Sequence, residues 1–146
     1  MNLQALPEEA LKEILALTEA KKRLDLREEA HEKFMPFAHH VYENFIEGRH
    51  HRVIAEKLEA VARGELKRLI INMPPRHSKS EFASFLMPAW FLGRNPKLKI
   101  IQATHTAELA VGFGRKIKNL IDSEDFRDVF PTVSLAPDAK ASGRWS

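Results

Sequence analysis

The run Met73-Pro74-Pro75-Arg76-His77-Ser78-Lys79-Ser80 is the part of this chain whose residue types and spacing could do chemistry. Two cations, Arg76 and Lys79, flank an imidazole (His77) and a hydroxyl (Ser78), and a second hydroxyl follows at Ser80. A lysine followed by a serine or threonine at the head of a helix is how a protein holds the outer phosphates of a nucleotide. The ammonium reaches the β- and γ-phosphates and the hydroxyl reaches Mg²⁺. The general form of that loop is G-x-x-x-x-G-K-[ST], between a strand and a helix. Aligned on Lys79-Ser80, this chain has Met73 and Ser78 at the two glycine positions. Ser78 is the more consequential departure: glycine takes a positive φ freely, whereas serine there costs on the order of 1 kcal/mol. The same residues could also form a basic surface turn that simply starts a helix.

The elements on either side are of the kind that would position such a loop. Leu69-Ile70-Ile71-Asn72-Met73 is a short apolar, β-branched run that reads as a buried parallel strand, stopped by Pro74-Pro75. A helix is expected from about Lys79 to Leu92, closed by Gly93 and Pro96, and a second strand over Lys99–Thr104. Thr106 is a suitable N-cap for a further helix with Leu109, Phe113, Ile117, Leu120 and Ile121 inward. Upstream, Ile54, Leu58, Val61 and Ala62 define a helix over about His51–Arg63, with Gly64 just past its end. Pro7-Glu8-Glu9 is a helix start, and the charged stretch to about His31 reads as one or two helices. Phe34, Met35, Phe37, Val41, Tyr42, Phe45 and Ile46 form an aromatic-rich packing patch. Asp122–Pro131 reads as a turn region holding Phe126, Val129 and Phe130. Strand, loop, helix, strand, helix predicts an α/β fold: an incomplete P-loop NTPase-like βαβ core with parallel strands, preceded by an N-terminal helical segment. Residues 1–33 form the helical appendage, and residues 34–146 the front half of a P-loop ATPase domain.

Charge supports a polyanionic ligand. Residues 49–119 carry 14 basic and 5 acidic side chains, a net +9, whereas the flanking stretches are all mildly acidic. The alternative for this region is a solvated basic surface. The chain has no cysteine, which excludes disulfides and thiolate metal sites. No run approaches the roughly 20 apolar residues that span a bilayer, and the N-terminus lacks the features of a signal peptide. The expectation is a cytoplasmic protein with no membrane partner.

Lys67 to Glu81, with its Pro-Pro-Arg-His-Ser-Lys-Ser centre, resembles the phosphate loop of phage terminase large subunits, many of which carry Pro-Pro-Arg-His-Gly-Lys-Ser there. The likeness extends to Gly48–Glu56, Pro88–Arg94, Ala103–Ala110, Phe113-Gly114-Arg115 and Gly143-Arg144-Trp145-Ser146, covering roughly residues 34–146. The resemblance implies the ATP-binding portion of the motor that packages double-stranded viral DNA into a procapsid, in a bacterial host cell. It implies ATP and Mg²⁺ as cofactors and Pro75, Arg76, His77, Ser78, Lys79 and Ser80 as the phosphate-binding residues. Ser80 would hold Mg²⁺, and Arg76 would contact phosphate or couple hydrolysis to movement. His50, His51 and Arg52 fall where a polar segment borders the adenine, although the histidine pair also suits a solvated helix start. Double-stranded DNA, the terminase small subunit, the portal and further copies of the chain are the implied partners.

The resemblance also implies an apolar strand ending in two acids, which holds Mg²⁺ and positions the attacking water. No such strand occurs: Glu124, Asp125 and Asp128 follow a helix. The expectation is therefore an ATPase domain truncated before its acidic motif, without the nuclease domain, incapable of full hydrolysis alone, and inclined to associate through exposed sheet edges. Two other readings stand beside it. One is a non-catalytic prophage remnant or DNA- or partner-binding module; the other is a fragment of a helicase-like P-loop ATPase.

Overall fold

The structure, a computed structural model, describes residues 7–136. Within them the chain folds as helices joined by irregular segments. The helices are α1 (Glu8–Glu32), α2 (Phe34–Val41), α3 (Arg49–Ala62), a π-helical segment (Glu81–Leu86), α4 (Met87–Arg94), α5 (Ala107–Ile121) and α6 (Glu124–Val129).

Local sequence explains most of their ends. α1 starts after Pro7 with Glu8 and Glu9 in its first turn, and stops where Lys33 becomes extended. α3 starts after Gly48, whose N–H donates to Nδ1 of His51 at 2.9 Å. It ends at Ala62 with Arg63 as its C-cap, and Gly64 just beyond takes φ 76. Thr106 caps α5 by accepting from the Leu109 N–H, and Ser123 caps α6 by accepting from the Phe126 N–H, each at 3.3 Å.

The α/β expectation is wrong. Among the described residues there is no strand and no sheet, so the parallel βαβ core does not form. The two segments read as strands are irregular and unpaired. Leu69, Ile71 and Met73 lean on the core while Ile70 is 85% exposed, and Ile101 in the second segment is 96% exposed. Their period-two burial is that of a chain with one face covered, whereas a parallel strand needs a neighbour beside it and helices on both faces. The helices here pack on one another instead. Gln102 spends its amide on the Ser84 carbonyl (3.0 Å) rather than facing a partner strand.

The core is aromatic. Phe34 sits edge-on to both Phe82 (5.3 Å between centroids) and Trp90 (5.6 Å). A second group, Phe37, Phe126 and Phe130, joins α2 to α6. The turn expected around Phe126 is thus a short helix, and its apolar residues are core. Of the aromatic patch, Phe34 and Phe37 are buried and Phe45 is partly buried, but Ile46 is exposed. The end of α1 docks on this core: Ala30 is fully buried, Arg27 forms a bidentate pair with Asp128, and Arg94 reaches Glu32 at 3.2 Å.

Two helical glycines give opposite expectations for the same substitution. A Cβ on Gly93 in α4 would lie 2.5 Å from Cδ2 of Phe130. That ring cannot yield, because Phe126, Phe37 and His31 surround it. Gly93→Ala should therefore destabilise the fold by about 1–3 kcal/mol of overpacking, less the ~1 kcal/mol that alanine gains in a helix. A Cβ on Gly112 in α5 meets nothing within 4 Å. Gly112→Ala should stabilise by about 0.5–1 kcal/mol. Thermal unfolding of the two variants checks both signs.

Candidate functional site

The loop from Pro74 to Ser78 runs from the core-facing Met73 into a helical stretch that opens at Lys79-Ser80 and continues through the π-helical segment into α4. Two residues in it, Arg76 (φ 64) and Ser78 (φ 58), occupy the left-handed region. Left-handed residues set close together turn successive N–H groups inward, which is how short loops make concavities for anions. The strain foreseen at Ser78 is present, and Arg76 adds a second strained position. The loop is braced from within: His77 donates its Nδ1–H to the Pro75 carbonyl at 2.9 Å, and the Phe82 N–H donates to the Ser78 carbonyl at 2.9 Å.

Pro75, Arg76, His77, Lys79 and Ser80 are exposed, and Ser78 is half-buried. Neither Arg76 nor Lys79 has an ionic partner among the described residues. The nearest acid in the chain, Glu81, is engaged by Lys116 at 3.2 Å. Two uncompensated cations on one turn, at the N-terminal end of a helical run, raise a positive potential at that spot.

Packing brings the N-terminus of α3 to this loop. The His50 ring lies 5.7 Å from that of His77 and 3.9 Å from that of His51. His51 is 5% exposed, stacked on Phe82 (4.9 Å, 26°) and flanked by Phe45 (4.9 Å), so the pair is not a solvated helix start. Because His51 Nδ1 accepts from Gly48, its neutral ring carries the proton on Nε2. That Nε2, and the Nε2 of His50, are buried without a hydrogen-bond partner. Arg52 is directed elsewhere, into a pair with Glu47. The Arg52 and His39 contacts hold the Glu47 carboxyl below its usual range.

Burial, followed by the like charges of His50 and His77, lowers the His51 pKa from 6.5, against the opposing pull of Glu47. A folded-state pKa below the unfolded one means that the unfolded chain binds more protons. The contribution of this group is complete above pH 6.5 and is lost as pH falls through that value towards the folded pKa. Thermal stability should therefore decline on acidification below that point. His51→Gln keeps an acceptor for the Gly48 N–H but cannot titrate, and should flatten the decline. Melting curves of both proteins across pH check this.

The residues present suit a phosphate group better than a metal cage. Ser80 offers one exposed hydroxyl, and among the described residues no group of three or more His, Asp or Glu side chains could hold a metal ion. Asp128 is committed to Arg27, and Asp122 to Arg127. The Gly143-Arg144-Trp145-Ser146 stretch lies outside the described residues. Among the described residues no helix is long and apolar enough to cross a membrane.

Two features of the site carry no sequence signal. The π-helical turn directly after the loop has no pattern that marks it, although such turns recur at functional sites. The approach of His77 to His50 is a tertiary contact across 27 residues. No family model, curated protein or solved structure matches this chain.

Proposed function

We propose that residues 73–80 bind the phosphates of a nucleoside triphosphate, and that this is the ATP-binding portion of a DNA-packaging motor of the terminase large-subunit kind. The observation that carries the reading is the pairing of two unneutralised cations, Arg76 and Lys79, with two left-handed non-glycine residues in the same turn. Strained backbone persists where the surrounding structure imposes it, and such residues cluster at ligand clamps. In this reading the Lys79 ammonium meets the outer phosphates, Ser80 contributes its hydroxyl to a Mg²⁺ brought with the nucleotide, and Arg76 and the loop amides close on the remaining oxygens. His50 and His77 border the base or sugar side. The proposal does not depend on a parallel sheet.

Turnover is not expected of this chain alone, because Glu81, the carboxylate nearest in the chain to the loop, is engaged by Lys116. Equilibrium binding of a fluorescent ATP analogue tests the reading. Saturable, Mg²⁺-enhanced binding that ATP and pyrophosphate both displace, with no phosphate release, is the expected result. A second reading, a module that binds DNA through the basic middle of the chain, is favoured by the net +9 over residues 49–119. It predicts salt-dependent duplex binding and no nucleotide affinity.

A further inference from the structure

We propose that the groove along the first half of α5 takes the base of the nucleotide whose phosphates the loop holds, an inference that rests on the phosphate reading of residues 73–80. The groove has a volume of about 400 Å³, and its lining includes His105, Glu108, Leu109, Gly112, Phe113 and Lys116. Its wall is apolar at Leu109, Gly112 and Phe113. Gly112 keeps it open, because a Cβ there would meet nothing within 4 Å. The half-buried Phe113 ring borders that space. A ring beside a gap suits a base, which gains from stacking on an aromatic side chain whatever its identity. The polar groups stand at the rim. His105 and Glu108 are exposed, and neither has a hydrogen-bond or ionic partner among the described residues. An imidazole and a carboxylate there can meet a ring nitrogen and an exocyclic amine of a base.

Continuity with the loop selects the occupant. α5 packs on the π-helical segment that follows the loop. Lys116 stands at that end of the groove: its ammonium is 6.0 Å from the centre of the Phe113 ring, 5.7 Å from that of Phe85 and 3.2 Å from Oε1 of Glu81. Glu81 directly follows Ser80. A nucleotide held by its outer phosphates at Lys79 and Ser80 therefore passes Lys116 before its base reaches Phe113, and Lys116 neutralises the Glu81 carboxylate on the way. On the histidine side of the loop the rings already cover one another. His50 lies between His51 (3.9 Å) and His77 (5.7 Å), His51 is buried on Phe82, and Arg52 is turned to Glu47. The base is thus assigned to α5 rather than to His50, His51 and Arg52, and the role of His50 and His77 narrows to the sugar.

Isothermal titration with Mg²⁺-ATP and, separately, with inorganic tripolyphosphate tests the inference, because the second ligand has the phosphates without the nucleoside. Gly112→Leu fills the groove from an exposed helical position where the fold has room for a side chain. It should bind ATP at least about tenfold more weakly, the equivalent of one lost base stack, and tripolyphosphate as well as the unmodified chain does. Phe113→Ala removes the stacking ring and should show the same selective loss. Unchanged ATP affinity in either variant, or equal weakening of both ligands, overturns the base subsite while the phosphate site stands. If the unmodified chain binds neither ligand, the phosphate reading fails and the base subsite fails with it.

Discussion

Trp90→Ala should remove about 3–5 kcal/mol of folding free energy. That is a large share of the roughly 5–15 kcal/mol a domain of this size has. The indole is fully buried, edge-on to Phe34 at 5.6 Å, with the Arg94 guanidinium 5.0 Å over its face. It also performs a polar task. A helix ends with four carbonyls that lack an intrahelical donor. Ala30 is in the last turn of α1, and the N–H that would have met its carbonyl, that of Phe34, donates to Glu59 Oε1 at 2.8 Å instead. Trp90 Nε1–H takes that place, donating to the Ala30 carbonyl at 3.2 Å. Truncation therefore opens a large cavity and strands a buried acceptor. Trp90→Phe separates the two effects. It keeps most of the ring packing and should cost about 1–3 kcal/mol, much of it the unsatisfied carbonyl. Denaturant unfolding of both variants measures the difference.

Ser78→Gly and Arg76→Gly should both stabilise the fold, and should differ in what they do to the loop. Each residue occupies a left-handed conformation that costs a side-chain-bearing residue roughly 1–2 kcal/mol. Glycine removes that cost at the expense of a more flexible unfolded chain, so a net gain of about 0.5–1 kcal/mol is expected at either position. Ser78→Gly leaves both cations and all the loop amides, and phosphate affinity should hold or tighten. Arg76→Gly deletes a cation, and affinity should fall although stability rises. Asn44, also left-handed at φ 58, is a control: asparagine tolerates that region, and Asn44→Gly should change stability less. Loss of stability in Ser78→Gly would contradict the account of the strain.

What the sequence disclosed follows from how local each signal is. The proline and acids at the start of α1, the threonine cap of α5 and the glycine after α3 are set by backbone groups within a few residues of one another, and the structure has each in place. The α6 start was also legible in Ser123-Glu124-Asp125, a cap followed by two acids, but the short segment reads as a turn until Phe126, Val129 and Phe130 are seen to be buried. The strands failed for the opposite reason. Leu69–Met73 and Lys99–Thr104 have apolar, β-branched composition, but a strand is completed by another strand. A run with apolar residues at four of five positions does not say which face will be covered. At the loop, the strain at Ser78 was visible because one motif position asks for glycine. The strain at Arg76 and the histidine contact were not, because both depend on the path the folded chain takes.

The central claim is that the turn from Met73 to Ser80 is a phosphate site centred on Lys79. Isothermal titration of Mg²⁺-ATP into the chain and into Lys79→Ala, side by side, tests it most directly, since Lys79 is exposed and unpaired and its truncation should leave the fold intact. The account predicts saturable binding by the unmodified chain and a loss of at least about tenfold in the variant, the equivalent of one hydrogen bond to a charged group. No saturable binding, or equal affinity in the two proteins, would contradict it.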